Sequence, residues 1–146
     1  WTRLNGGSGI HLIGSPNNSI KRFKASRQGV GIFLEARSNS NLFDDNLISV
    51  NGVGVREYDS GNNNYGNSIF MFNGVAIERS NATGVMQALG GAAEDAGAYL
   101  NGCTIASSEH DGVLTSHGAG FSIRKCHILD NGGAGVHNLD GSVRVE

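Results

Sequence analysis

The chain has 146 residues, a formal net charge of -2, 16% charged and 38% hydrophobic residues, and 23 glycines against a single proline. That is one domain's worth of chain, long enough to bury a core. A near-neutral balance without a Lys/Arg run excludes nucleic acid as the expected partner. No apolar stretch nears the ~18 residues of a membrane span, so no membrane partner is expected either.

Taken in order, short glycine-apolar segments recur. They are GIHLI from Gly9, GIFLE from Gly31, GVREY from Gly54, AIERS from Ala76, GVLTS from Gly112 and GVHNL from Gly135. Their first apolar residues are Ile10, Ile32, Val55, Ile77, Val113 and Val136, spaced by 22, 23, 22, 36 and 23 residues. One period near 23 therefore links all six, with a single insertion of about 13 residues (36 less 23). The first gap holds a small basic cluster, Lys21, Arg22 and Lys24, which reads as a solvated turn. The insertion is ATGVMQALGGAAEDAGA, residues 82–98; its Gly/Ala content predicts a short helix at Val85–Leu89 or a flap beside the preceding coil.

A second set of columns follows the same period. Polar corners fall at Asn51, Asn73, Ser108 and Asn131. Three residues before each stands Ile48, Phe70, Ile105 or Ile128, and eight before each Phe43, Tyr65, Leu100 or Ile123. Five before each stands Asn46, Ser68, Cys103 or Cys126. Short strands with polar corners at a fixed period describe coils that cannot bury their own faces and complete one core by stacking.

The phrase SNSNLFDDNLISVNGVGV (38–55), echoed by RKCHILDNGGAGV (124–136), resembles the right-handed parallel β-helix repeat of the pectate-lyase-like superfamily. The resemblance is one of architecture and covers nearly the whole chain. It implies an all-β, right-handed parallel β-helix of about six coils with ~22–23 residues each and one inserted loop, residues 1–146 forming a single domain. Six coils at ~4.8 Å make a stub of roughly 29 Å. The chain opens on Trp1 and closes on SVRVE without a recognisable cap, so a segment of a longer protein, or one covered by partner chains, is expected.

Strand alternation sorts the side chains of the glycine-apolar segments. The first apolar column points inward. The next column points out: His11, Phe33, Arg56, Glu78, Leu114 and His137. The third points in again: Leu12, Leu34, Glu57, Arg79, Thr115 and Asn138. Arg56 then neighbours Glu78 outside and Glu57 neighbours Arg79 inside or at the corner, which predicts two inter-coil ion pairs.

The resemblance adds a sharper reading, a carbohydrate groove along an outer sheet face. Glu57, Asp59 and Glu78 would supply the acid, base or nucleophile, since neighbouring coils offer the ~5–9.5 Å that carboxylate pairs need. Phe33, Glu35, Arg56, Tyr58 and Arg79 would bind substrate, with Arg56 on its acid groups and the rings of Tyr58 or Phe33 on sugar faces. The implied function is a polysaccharide lyase, hydrolase or epimerase, or the depolymerase segment of a phage tailspike, extracellular or virion-associated. The chain lacks the aspartate clusters and the Asp-Pro-His signature that would mark a particular subgroup. The alternative is a non-catalytic structural or carbohydrate-binding module of an adhesin or tail fibre, for which a homotrimer is the expected assembly. The two separate on whether the acids gather in a groove or are all used between coils.

No cofactor and no metal site is expected. Glu109, His110 and Asp111 are adjacent and point to different sides, and His117, His127 and His137 recur every ten residues, off the coil period. GGAGVHNLD (132–140) has the cast of a calcium-binding nonapeptide, but His137 stands where its Asp ligand belongs. Cys103 and Cys126, 23 apart, should stack as small residues of a ladder or as a disulfide. Four threonines are too few for a flat ice-binding array.

Overall fold

Alternating Gly and β-branched residues broken every few positions by a polar corner leave the chain one solution, short parallel strands that wind. The computed structural model describes residues 5–80, 98–117, 121–139 and 143–146. The first coil lays down β1 (Asn5–Ile13), β2 (Ser19–Lys21) and β3 (Lys24–Ser26). The second holds β4 (Gln28–Glu35), β5 (Leu42–Asp44) and β6 (Leu47–Ser49), and the third β7 (Val53–Tyr58), β8 (Asn64–Gly66) and β9 (Ile69–Met71). The fourth holds β10 (Val75–Ser80), β11 (Ala98–Asn101) and β12 (Thr104–Ala106). The fifth holds β13 (Val113–Ser116), β14 (Phe121–Arg124) and β15 (His127–Leu129), and β16 (Val136–Asn138) and β17 (Val143–Val145) begin a sixth.

Every third strand pairs in parallel with the equivalent strand of the next coil, giving three stacked sheets: β1-β4-β7-β10-β13-β16, β2-β5-β8-β11-β14-β17 and β3-β6-β9-β12-β15. This is a parallel β-helix of five full coils and part of a sixth, of the right-handed kind that parallel crossovers favour. Among the described residues every regular element is a strand. The expected insertion, with its helix at Val85–Leu89 or flap, lies outside the described residues except for Ala98, which opens β11.

The registers match the sequence columns. Ile10, Ile32, Val55, Ile77, Val113 and Val136 stack in the first sheet. Phe43, Tyr65, Leu100 and Ile123 stack in the second, and Ile48, Phe70, Ile105 and Ile128 in the third. Nearly all are buried and form one core. Phe43 stacks on Tyr65 at 5.0 Å between centroids, and Tyr65 meets Phe70 edge-on at 6.3 Å, so one aromatic knot joins the second and third sheets.

Three corners turn the chain, and each uses the same two devices. The first is a left-handed residue at a fixed coil position: Arg27, Val50, Phe72, Ser107 and Asp130 all have φ between 53 and 60°. For Val50 and Phe72 that conformation is costly. It persists because the N–H groups of Val50 and Phe72 bond the next coil, to Met71 O at 3.2 Å and Ala106 O at 3.2 Å.

The second device is a polar ladder that satisfies corner backbone which no sheet can reach. Gln28 N–H donates to Asn51 Oδ1 at 2.9 Å and Asn51 N–H to Asn73 Oδ1 at 3.0 Å. In the upper coils Ser108 N–H donates to Asn131 Oδ1 at 3.0 Å. The Asn46 column works alike, with Phe23 N–H on Asn46 Oδ1 at 2.8 Å and Asn46 N–H on Ser68 Oγ at 3.2 Å. A third ladder, Asn18, Asn41 and Asn63, is absent from the sequence reading, although its members lie 23 and 22 apart. Close stacking explains the glycines of the first sheet: a Cβ on Gly31 would stand 2.5 Å from Gly54 O and 2.6 Å from Ile48 Cγ2.

Candidate functional site

The outer face of the first sheet carries most of the chemistry. His11, Phe33, Arg56, Glu78, Leu114 and His137 form one continuous row, one residue per coil. Two residues further along the strands lie Glu35, Tyr58, Ser80 and Ser116, also on the outside. Five inter-coil steps at ~4.8 Å give the face a length of roughly 24 Å. It is a strip, not a pocket.

Each expected site residue can now be placed. Phe33 is half-buried, its ring stacked on the His11 ring at 4.7 Å and 7°. His11 Nε2 lies 2.9 Å from Glu35 Oε1, within hydrogen-bonding distance. Arg56 donates from Nε and Nη2 to the same Glu78 oxygen, at 3.0 and 2.8 Å. Tyr58 is 46% exposed and projects from the face. Asp59 sits at the corner with φ of 48°, and its carbonyl accepts from Arg37 N–H at 2.7 Å. At the far end His137 Nδ1 meets Asp111 Oδ2 at 3.0 Å, while Asp111 Oδ1 accepts from Ala134 N–H at 2.8 Å. Both ends of the row thus hold a histidine bound to an acid of the neighbouring coil.

Glu57 and Arg79 are not on this face. Strand alternation carries both inward, where each has no exposed surface. Arg79 Nε donates to Glu57 Oε2 at 2.7 Å, and Tyr65 Oη donates to Glu57 Oε1 at 2.5 Å. Arg79 Nη2 reaches Ser60 O at 3.3 Å, and the guanidinium lies 5.5 Å from the centre of the Phe121 ring. The carboxylate therefore has a cation on one oxygen and a hydroxyl on the other, and no path to a ligand outside. Both inter-coil ion pairs read from the columns are present. Tyr65 was missed as the third member of the inner pair, although its column was in view: it stands eight residues after Glu57 on the facing sheet.

Burial, and after it the Glu57 carboxylate, hold the Tyr65 hydroxyl well above its ordinary 10.0. A folded value above the unfolded one stabilises fully below the unfolded value and is lost as pH rises past it. Stability is therefore expected to hold up to about pH 10 and then fall by up to about 1.4 kcal/mol per pH unit as the unfolded tyrosine ionises. Urea unfolding on either side of that pH checks this, and Tyr65→Phe should flatten the alkaline slope.

Away from the face, Lys21 meets Asp44 at 3.9 Å. Arg22 and Lys24 do more than edge a turn: with Phe23, Asp45, Leu47 and Ile69 they wall an open cavity of about 330 Å³ between the second and third sheets. His117, His127 and His137 fall at a corner, on the third sheet and on the first sheet, so they share no site.

Cys103 and Cys126 stack at the corner between the second and third sheets, Cys103 buried and Cys126 half-buried, both as free thiols. Cys103 N–H donates to Cys126 Sγ at 3.4 Å. The contact between the thiols holds Cys126 down at about 6 and, with burial, pushes Cys103 up.

Residues 2–87, more than half of the chain, match the family model described as periplasmic copper-binding protein (NosD). No curated protein and no solved structure matches the chain.

Proposed function

The chain belongs to the family of periplasmic copper-binding proteins (NosD), and from that premise we propose that it is a periplasmic β-helix module that binds an extended polysaccharide along the outer face of its first sheet without cleaving it. The observation that carries the non-catalytic half is the state of the acids. Arg56 donates twice to one oxygen of Glu78 and Glu57 is sealed in the core. A general acid or nucleophile must reach the scissile bond; Glu57 has no way out of the core, and Glu78 reaches the outer face already paired with Arg56. The family's description names neither a lyase, a hydrolase nor a phage protein.

The ligand class rests on the form of the face. A strip of roughly 24 Å offers hydroxyls at Tyr58, Ser80 and Ser116, acids at Glu35 and Asp111, and the edges of the His11 and Phe33 rings. That mixture over that length suits a hydroxyl-rich linear chain better than a compact molecule, which favours concave apolar sites. Tyr58, whose ring is 46% exposed, supplies the stacking surface.

Copper comes to this chain from the family's description alone. Among the described residues no three of His, Cys, Asp and Glu converge. His11 and His137 lie at opposite ends of the row, each with one acid. A site of three or more ligands for divalent copper does not fit these residues.

Affinity electrophoresis through gels cast with acidic and neutral polysaccharides tests the reading. The parent is expected to be retarded by at least one of them, and Tyr58→Ala to lose most of that retardation with an unchanged melting temperature. Equal mobility in every gel, or retardation indifferent to Tyr58, would remove this face as the site.

A further inference from the structure

The corner after the third sheet turns through one column of left-handed residues, Arg27, Val50, Phe72, Ser107 and Asp130, one on each coil from the first to the fifth. Among the described residues outside glycine, Val50 and Phe72 are the only large apolar side chains held at positive φ. Their N–H bonds to Met71 O and Ala106 O are made by the backbone, and any residue but proline would make them. Neither side chain packs inward, Val50 being 48% and Phe72 59% exposed. The fold thus carries a backbone cost that its own packing does not explain, and such outliers point to function.

The surface beside them is apolar too. Leu47 and Ile69 are register partners on the outside of β6 and β9, and Met71 follows two residues after Ile69. Ile69 is exposed, and Leu47 and Met71 are half-buried. This apolar patch lies between two exposed charges of opposite sign in the same corner column, Arg27 on the first coil and Asp130 on the fifth.

We propose that this corner and the adjoining outer face of the third sheet are a self-association surface, occupied by a second copy of the chain with its coils in reversed order. A two-fold axis parallel to the strands, through the third coil, sets the first coil of one copy against the fifth of the other. Ile69, Met71 and Phe72 then meet their own counterparts at the centre, and Arg27 of each copy faces Asp130 of the other at both ends. Coils in the same order would set Arg27 against Arg27 and Asp130 against Asp130, which like-charge repulsion disfavours. Charge therefore picks both the occupant and its orientation. At the opposite corner of the sheet Arg22 on the first coil and Lys125 on the fifth would repel under the same axis, so the contact is confined to the Phe72 side.

The strip is small. Four inter-coil steps of ~4.8 Å give roughly 19 Å, and four residues along a strand at ~3.3 Å give about 13 Å. That is well under the ~800 Å² per partner of a standard interface, so the pair forms only in concentrated solution. None of these residues belongs to the outer row of the first sheet, so self-association and polysaccharide binding are tested apart.

Sedimentation equilibrium of the chain from about 10 μM to about 1 mM reads the association directly. The parent's mass is expected to rise with concentration from one chain toward two. Phe72→Asn should abolish that rise while keeping at least the melting temperature of the dilute parent. Arg27→Asp should weaken association about tenfold or more, because two attractive pairs become two repulsive ones. Asn and Asp already stand at positive φ at Asn67 and Asp130, so both variants should fold. Adding Asp130→Arg to Arg27→Asp exchanges the two charges and should restore the parent's association. A parent that stays a single chain at every concentration, or one that assembles to three, would overturn the assignment. Undiminished association of Phe72→Asn, or a charge exchange that restores nothing, would overturn it as well.

Discussion

Replacing Arg79 with methionine is expected to destabilise the fold by about 3–5 kcal/mol, the cost of leaving a buried charge without its partner. Glu57 would keep only the Tyr65 hydroxyl, at 2.5 Å, inside a core where it has no exposed surface. Ser60 O would lose its contact with the guanidinium, and Phe121 the cation beside its ring. Adding Glu57→Leu should return the larger part of the loss, because a buried ion pair exchanged for apolar residues of similar volume is often neutral or stabilising. The recovery stays incomplete, since Tyr65 would then hold a buried hydroxyl without an acceptor, worth about 1–3 kcal/mol. Urea unfolding of the parent, the single and the double variant measures all of this. A single variant within about 0.5 kcal/mol of the parent, the range of ordinary surface changes, would mean that the pair does not hold the coils.

The second large effect contrasts two phenylalanines two positions apart. Phe70→Ala should cost about 3–5 kcal/mol. Its ring is 1% exposed, stacked between Ile48 and Ile105 and set edge-on against Tyr65. Truncation opens a cavity that the rigid coils on either side cannot close. Phe72→Asn should fall within about 0.5 kcal/mol of the parent or gain slightly, because the ring is 59% exposed and the residue sits at φ of 54°. Asparagine enters that left-handed region at lower cost than phenylalanine. Thermal melts of the two variants side by side decide it, and a Phe72 effect as large as that of Phe70 would contradict the orientation of β9.

The β-helix was legible because stacking converts a period into columns. Ile10 through Val136 needed only counting, and the same count put Glu57 and Arg79 on the inner side of the sheet. What resisted reading has physical causes. The corner residues in the left-handed region include Val50 and Phe72, types that disfavour it, so those turns leave no mark of their own in the sequence. Strands of three residues, such as β5 and β8, are too short for alternation to declare a face, which is how Tyr65 escaped notice as the partner of Glu57. The links of His11 to Glu35 and of His137 to Asp111 run diagonally, 24 and 26 residues apart, where the period of 22–23 predicts none. Grouping Glu57 and Arg79 with the outer acids followed the resemblance over the alternation, and the alternation describes where they are.

The most direct test of the central claim, that the acids of this face hold coils together and perform no chemistry, is a product assay. The parent and Glu78→Gln would be incubated with each polysaccharide that retards the protein, and reducing ends and unsaturated products followed. No release above the blank is expected from either protein. Release by the parent that disappears in Glu78→Gln, at unchanged melting temperature, would contradict it and make the face an active site.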